Sequence, residues 1–169
     1  MKLLKTTLII VIIITCSLTL FSCGPSTSSE KGLTKKQESY SKVGANSKGE
    51  LEIKEKVFIT QINDMYYNFN DYKDIIVRVE GMFSKYESPD GENTYPLVYR
   101  RGPGCCGNDG WGGFLLDFDK KKIPELKEND WIIVKGRPFM KNLGGLDTLF
   151  LKVSDIKVST RRGKEQVTQ

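Results

Sequence analysis

Residues 75–83 have the sequence IIVRVEGMF, and the expected fold follows from this stretch. Apolar β-branched residues at 75, 77 and 79 alternate with Arg78 and Glu80, which is the pattern of a β-strand with one buried and one exposed face. Gly81 falls near the end of the stretch, where the absence of a side chain lets a strand bulge or bend sharply. The sequence therefore predicts a bent strand within a small β-domain.

Four more stretches predict strands, and turn sequences such as SPDG at 88–91 separate them. The last strand is predicted to kink at Ser154-Asp155, and the loop before it carries Gly144-Gly145. The four stretches are Tyr95–Arg100, Trp111–Phe118, Trp131–Arg137, and Thr148–Val153 with a continuation to Val158.

A single helix is predicted before the strands, because Phe58, Ile62, Met65 and Phe69 recur at helical spacing. One helix followed by five short strands, with glycines where strands must bend, is typical of a small closed or partly closed β-barrel. The predicted fold class is mainly β: a small five-stranded OB-like barrel preceded by one amphipathic helix.

The N-terminus has the layout of a secretory signal over residues 1–22, with Lys2 and Lys5 before an apolar run. The sequence LFSCG at 20–24 resembles the lipobox of bacterial lipoproteins. That resemblance implies cleavage before Cys23, diacylglycerol on its thiol, and acylation of the new N-terminus with a fatty acid such as palmitate. An uncleaved transmembrane anchor is the alternative, since the apolar run is nearly long enough to span a bilayer. We expect an extracytoplasmic protein, lipid-anchored to the cell membrane or the outer membrane.

The polar composition of residues 23–50 predicts a disordered tether, because this segment cannot bury enough apolar surface to offset its ordering entropy. The folded domain is expected at 51–159, followed by a disordered tail at 160–169. The basic run at 161–164 fits a solvated terminus, with contact to an anionic membrane as the alternative. The chain carries a formal net charge of +5 with both signs interspersed, so we expect no nucleic-acid partner.

Reactive side chains cluster in residues 100–113, which have the sequence RRGPGCCGNDGWGG. Cys105 and Cys106 are adjacent, and Asp109 follows shortly after them. The chain contains no histidine, which excludes the commonest general base and the Ser-His and Cys-His dyads. We therefore expect a binding or accessory module rather than an enzyme.

Three segments resemble one known domain: residues 65–81, residues 125–136 and the CCGND sequence at 105–109. The similarity is to the C-terminal domain of uncharacterised permease-subunit proteins of the bacterial envelope, a family with lipoprotein relatives, and it covers residues 57–158. Its most specific element is Cys-Cys-x-x-Asp. The resemblance implies an OB-like fold, an envelope location, and partners among envelope transport proteins or other membrane proteins. It implies no established activity, but it raises a metal hypothesis, since some relatives accompany metal-linked transport genes.

Three interpretations of the cysteine pair stay open. In the first, Cys105, Cys106 and Asp109 bind a soft or borderline metal ion such as zinc or copper. In the second, the two thiols form a strained vicinal disulfide that acts as a redox switch. In the third, both cysteines are small packed residues of a tight loop in a structural interaction module, and Asp109 forms a turn.

Three further residues are predicted to lie next to the ligand: Arg100, Arg101 and Trp111. The two arginines would lower the pKa values of the thiols if they lay close to them, which would favour the thiolate form that binds metals.

Overall fold

The computed structural model describes residues 35–104, 107–118 and 124–168. The predictions of a signal sequence and of lipid on Cys23 concern residues before 35 and lie outside the described ranges. Within those ranges, no helix has the length and apolar character needed to cross a membrane.

The predicted class, mainly β, is confirmed, and the five predicted strands are all present. Each of them is longer than the apolar alternation alone indicates, because the strands continue into their turns. In chain order the elements are α1 (Lys35–Lys42), β1 (Glu50–Glu52), a 3-10 helix (Glu55–Val57), α2 (Phe58–Tyr67), α3 (Phe69–Tyr72), β2 (Ile76–Glu87), β3 (Thr94–Gly104), β4 (Gly107–Asp117), β5 (Trp131–Leu143) and β6 (Leu146–Val158).

The strands form one six-stranded mixed sheet in the order β1-β2-β3-β4-β6-β5, and β2 pairs with β5 as well. The β1–β2 and β4–β6 pairs are parallel, whereas the other neighbours are antiparallel. The sheet thus has six strands where the sequence predicted five. The additional strand, β1, spans three residues, which is too short for a period-two pattern to be recognised.

The predicted irregularity in the last two strands is present as a bulge. In the β5–β6 pair Lys135 lies opposite Asp155, but the next residue, Gly136, lies opposite Val153. Ser154 is therefore the extra residue of the bulge, and its hydroxyl donates a hydrogen bond to the Lys135 carbonyl at 3.2 Å. This agrees with the kink predicted at residues 154–155.

The core lies between the sheet and the apolar face of α2. Phe58, Ile62 and Met65 of this helix are buried, as their spacing predicted. Burial of each such side chain contributes about 1.5–3 kcal/mol relative to exposure. A second buried cluster lies apart from it and contains Leu97, Leu115, Leu143 and Phe150.

Residues 35–50, assigned to the disordered tether from the sequence, instead contain α1, a turn and the first residue of β1. Val43 and Leu51 belong to the core and are 6% and 5% exposed. The segment has few apolar residues, which led to the prediction of disorder, but two of them, Tyr40 and Ala45, also pack against the core. Residues Thr34–Gln169 group into one compact unit with its own hydrophobic core.

Residues 160–168 belong to the segment predicted as a disordered tail, and they reach β3; together with Ser159 we call them the C-terminal strap. The Arg101 amide donates to the Glu165 carbonyl and the Val167 amide donates to the Arg101 carbonyl, both at 2.9 Å. Val167 is 4% exposed. The tail binds here because the pairing of β3 with β2 ends at Tyr99, which leaves the backbone of Arg101 free to bond to the tail, and because Val167 packs in the core.

Candidate functional site

The cysteine pair falls within the hairpin formed by β3 and β4. Arg101 lies opposite Trp111, Gly102 lies opposite Gly110, and Gly104 pairs with Gly107 after a register irregularity. Cys105 and Cys106, which stand between the last two glycines in the sequence, lie outside the described residues. The structure therefore describes both strands up to the cysteines but not the cysteines themselves.

Two glycines of this hairpin lie directly against Ile59 of α2, which packs on the hairpin. A Cβ atom at Gly102 would lie 2.9 Å from Cδ1 of Ile59, and one at Gly112 would lie 2.6 Å from the same atom. Gly113 has a different neighbour, since its Cβ would lie 2.1 Å from the backbone oxygen of Val98 on β3. Three glycines of the motif are thus explained by packing and do not by themselves indicate a ligand.

Asp109 lies in β4, between the paired residues Gly107 and Gly110. Among the described residues, no group of three or more His, Cys, Asp or Glu side chains is arranged to hold a metal ion. Because the two cysteines are outside that set, the metal site predicted at Cys105, Cys106 and Asp109 stays a prediction.

Arg100 was predicted to lie next to a ligand, and the structure shows that its hydrogen-bonding groups already have partners within the protein. Its side chain is fully buried. The guanidinium donates to the carbonyl and Oε1 of Glu80 at 2.9 and 3.1 Å, and to Oε2 of Glu55 and the Lys164 carbonyl, both at 3.2 Å. Through these four hydrogen bonds, Arg100 of β3 links that strand to β2, to the 3-10 helix and to the C-terminal strap.

Two aromatic rings enclose the same guanidinium. Its central carbon lies 5.0 Å from the centroid of Phe58 and 4.9 Å from that of Trp131. Arg162 of the strap lies over the Trp131 ring as well, at 5.4 Å. Cation–π contacts of this kind partly replace the hydration that a buried cation loses.

The carboxylate of Glu55 joins the strap to this buried cluster. Its Oε2 accepts a hydrogen bond from the Lys164 amide at 3.0 Å. That backbone hydrogen bond, together with the nearby Arg100 guanidinium, holds the pKa of Glu55 below its ordinary value, against the opposing effect of burial. The ionised carboxylate is thus the form that binds the strap.

Arg101 and Trp111, the other two residues predicted to lie next to the ligand, are at the surface of the β3–β4 hairpin. Arg101 is exposed, and the Trp111 side chain is 50% exposed. The indole packs against Tyr86 and Tyr99, with ring centroids 6.2 and 6.5 Å away. These three rings form an aromatic surface on β2, β3 and β4.

A cavity of about 220 Å³ opens beside Trp111, between α2 and the strands β4 and β6. The two strands pair in parallel over Leu115–Asp117, and the cavity lies where they separate. Tyr66 closes one side of it by donating a hydrogen bond from its hydroxyl to the Asp147 carbonyl at 2.9 Å. The cavity is mainly apolar in its lining and offers no cluster of reactive groups.

Sequence reasoning missed the partners of Arg100. Glu80 shares a face of β2 with Arg78 and was interpreted as a solvated strand residue, whereas it holds the buried cation. Glu55 and Lys164 lie 45 and 64 residues from Arg100 in the sequence. One feature of the sequence indicated that Arg100 is buried: it comes two residues after Val98, which is buried, so the two side chains lie on the same face of β3.

The chain matches the model of a known protein family. A family model described as the DUF1980 C-terminal domain matches residues 28–163, which is most of the chain. No curated protein matches the chain. The family match begins before α1 and ends within the C-terminal strap, so it includes the helix that the sequence had assigned to the tether.

Proposed function

This chain belongs to the DUF1980 C-terminal domain family, and we propose that it is a lipid-anchored binding module that holds a metal ion on its β3–β4 hairpin. The donors are the thiolates of Cys105 and Cys106 with the carboxylate of Asp109. The ion is soft or borderline, such as copper or zinc. No catalytic step is part of this proposal.

The observation that carries the proposal is the pairing of Gly104 with Gly107. Adjacent cysteines in an extended strand direct their thiols to opposite faces and cannot bind one ion together. Gly104 and Gly107, which flank the two cysteines in the sequence, lie opposite each other at the end of the β3–β4 hairpin. Residues that connect two paired strands need not follow the alternation of a strand, and this supports the use of both thiols for one ligand.

The chemistry of the donors fits such an ion. Thiolates are preferred by Cu(I) and Zn²⁺, and a carboxylate is a ligand that Zn²⁺ also accepts. Arg101 is available to lower the pKa values of the two thiols, because the guanidinium of Arg100 is already bonded to Glu80 and Glu55. Trp111, Tyr99 and Tyr86 would shield one side of the hairpin from water.

We also propose that the sheet is an OB-like barrel. The pairings β2–β3, β3–β4, β4–β6, β6–β5 and β5–β2 support it, because they return to the starting strand. The bulge at Ser154 and the close approach at Gly81, where a Cβ would lie 2.5 Å from the Tyr99 oxygen, are bends that a small barrel needs.

The location proposed is extracytoplasmic, at the cell membrane or the outer membrane, with attachment through lipid on Cys23. The sequence LFSCG at 20–24, after a basic and then apolar segment, supports it. The partners we propose are envelope transport proteins or other membrane proteins, for which the module would hold or deliver the ion.

Metal analysis of the purified unit 34–169, reduced and then exposed to Cu(I) or Zn²⁺, tests the binding proposal. We expect one bound ion per chain, lost in Cys105→Ser/Cys106→Ser and weakened in Asp109→Asn. Asp117→Asn, an exposed position of the same strand, is the matched control and should bind normally.

Two other outcomes would reject metal binding. If no ion binds but the two thiols equilibrate reversibly with a glutathione buffer as a two-electron couple, the cysteines serve redox chemistry. If neither occurs and the double serine variant is as stable as the parent, the hairpin is a structural element only.

A further inference from the structure

A basic concave surface lies at the N-terminal end of the described chain. Its volume is about 610 Å³. We call its four cationic residues the N-terminal basic face: Lys35, Lys36, Lys48 and Arg137. Asp74 is the one carboxylate among the lining residues, so positive charges outnumber negative ones four to one.

The surface is built on fixed elements. The ring of Tyr40 on α1 packs on the backbone at Gly49, where a Cβ would lie 2.4 Å from the ring. The side-chain oxygen of Asn46 accepts hydrogen bonds from the amides of Lys48 and Glu50 at 2.9 and 3.0 Å. These contacts hold α1 and the loop that follows it against the start of β1, so the backbone that carries Lys35, Lys36 and Lys48 has a defined position.

Neighbouring cations of this region are already paired. Lys42 lies 2.7 Å from an Asp71 oxygen, and Lys135 lies 2.6 Å from a Glu50 oxygen. None of the four cations of the N-terminal basic face forms an ion pair within the described part of the chain. Their charge is therefore available to an external anion.

The position in the chain indicates which anion this is. Lys35 comes twelve positions after Cys23, and a segment of that length reaches at most about 40 Å even when fully extended. If Cys23 carries the lipid, as proposed above, α1 is the part of the domain closest along the chain to the membrane. Anionic lipids attract basic residues that lie within a Debye length, about 10 Å at moderate salt.

We propose that the N-terminal basic face binds the phosphate-bearing headgroups of an anionic membrane, and so orients the domain on the bilayer to which it is anchored. The inference rests on the proposed lipid anchor. The C-terminal basic run is less suited to this role, since Arg162 pairs with Glu165 and Lys164 with Glu55.

The test uses the unit 34–169, which lacks Cys23 and has its own core. Co-sedimentation with vesicles of phosphatidylglycerol and phosphatidylcholine should retain the protein at low salt and release it at high salt. Vesicles of phosphatidylcholine alone should not retain it. Because the unit carries no lipid, this result is independent of whether Cys23 is acylated, and mass spectrometry of the membrane-extracted full chain tests the anchor separately.

Matched charge variants test whether the N-terminal basic face is responsible for vesicle binding. Lys35→Glu/Lys48→Glu should weaken vesicle partitioning at least tenfold, about 1.4 kcal/mol. Lys85→Glu/Lys127→Glu changes the net charge equally at exposed sites elsewhere. Lys85 stands nine residues beyond the lining residue Ile76 on β2, roughly 30 Å along the strand, so this control should partition as the parent does.

Three results would overturn the inference. The first is equal retention on neutral and anionic vesicles. The second is an equal loss of partitioning in the two double variants, which would indicate net charge rather than this surface. The third is binding of inorganic phosphate by the parent unit with no retention on anionic vesicles, which would assign the surface to a soluble phosphate ligand.

Discussion

Arg100 donates two hydrogen bonds to Glu80, one from Nε to the main-chain oxygen at 2.9 Å and one from Nη2 to Oε1 at 3.1 Å. The first fixes the guanidinium relative to the backbone of β2, and the second neutralises its charge. Glu55 adds a second carboxylate on Nη1. A fully buried cation with two carboxylate partners thus connects the sheet to the segments on both sides of it in the sequence.

Replacement of Arg100 by methionine should destabilise the protein strongly. The variant keeps most of the side-chain volume but leaves Glu55 and Glu80, each about one-third exposed, without their cation. Removal of one partner of a buried ion pair costs about 3–5 kcal/mol. Because both carboxylates are partly exposed, we expect a loss near the lower end of this range, about 3 kcal/mol. Urea unfolding measures the change.

The neighbouring arginine provides the control for this prediction. Arg101 is exposed and uses its backbone rather than its side chain to bind the strap. Arg101→Met should therefore change the free energy of unfolding by no more than about 0.5 kcal/mol. Equal effects of the two substitutions would contradict the structural role assigned to Arg100.

Adjacent glycines of the hairpin should differ in their tolerance of alanine. At Gly113 the new methyl group would meet the backbone oxygen of Val98, which cannot move without disturbing the sheet. At Gly112 it would meet the terminal carbon of Ile59, which can rotate away. Overpacking costs about 1–3 kcal/mol, so we expect about 3 for Gly113→Ala and about 1 for Gly112→Ala.

Thermal unfolding distinguishes these two variants. For a domain of this size, 1 kcal/mol corresponds to a shift in Tm of about 3–5 °C. The predicted order is parent, then Gly112→Ala, then Gly113→Ala. The reverse order would show that Ile59 is more rigidly held than the β3 backbone.

The attachment of the C-terminal strap should depend on pH through Glu55. Its pKa in the folded protein is lowered, first by the hydrogen bond from the Lys164 amide and then by Arg100. A lowered pKa means that the stabilisation is complete above the ordinary glutamate value of 4.5 and is lost as the pH falls through the folded-state pKa. The difference in stability between the parent and Glu55→Gln should therefore be largest at neutral pH and vanish in acid.

The control for the pH prediction is Glu128→Gln, at an exposed position. Its free energy of unfolding should follow that of the parent across the same pH range. If the difference between the parent and Glu55→Gln were constant with pH, the charge of Glu55 would not be what holds the strap.

Local patterns account for the parts of the fold that the sequence predicted. β2 to β6 were recognisable because alternation and turn-forming residues are properties of neighbouring positions. The turn at Gly144-Gly145, where φ is +58° and +90°, is an example in which two glycines determine the connection between β5 and β6. β1 and α1 were not recognisable, because they depend on pairing with β2 and on a few apolar contacts made at long range.

The same limit applies to the candidate site. Arg100 and Arg101 look alike in the sequence, and both were assigned to the ligand because they precede the cysteines. Which of them is buried depends on Glu55 and Lys164, residues that come together with β3 only in the folded chain. The hairpin pairing at Gly104 and Gly107 likewise follows from the register of β3 and β4, not from the composition of the glycine-rich stretch.

The two valines near the end of the chain should respond differently to truncation. Val167 of the strap is 4% exposed and belongs to the main core, whereas Val158 at the end of β6 is 45% exposed. Val167→Ala removes two buried methyl groups and should cost about 1–2 kcal/mol, because each buried CH₂ contributes about 0.8 kcal/mol. Val158→Ala removes the same atoms from a half-exposed site and should cost less than about 0.5 kcal/mol.

Urea unfolding of the two alanine variants checks this prediction, and limited proteolysis adds a local readout. If the strap is held by Val167 and by the backbone bonds to Arg101, Val167→Ala should accelerate cleavage within residues 159–168 before the sheet unfolds. Val158→Ala should leave that rate unchanged. Equal stability and equal cleavage in the two variants would restore the interpretation of these residues as a disordered tail, since a segment that packs on nothing loses nothing when a valine is shortened.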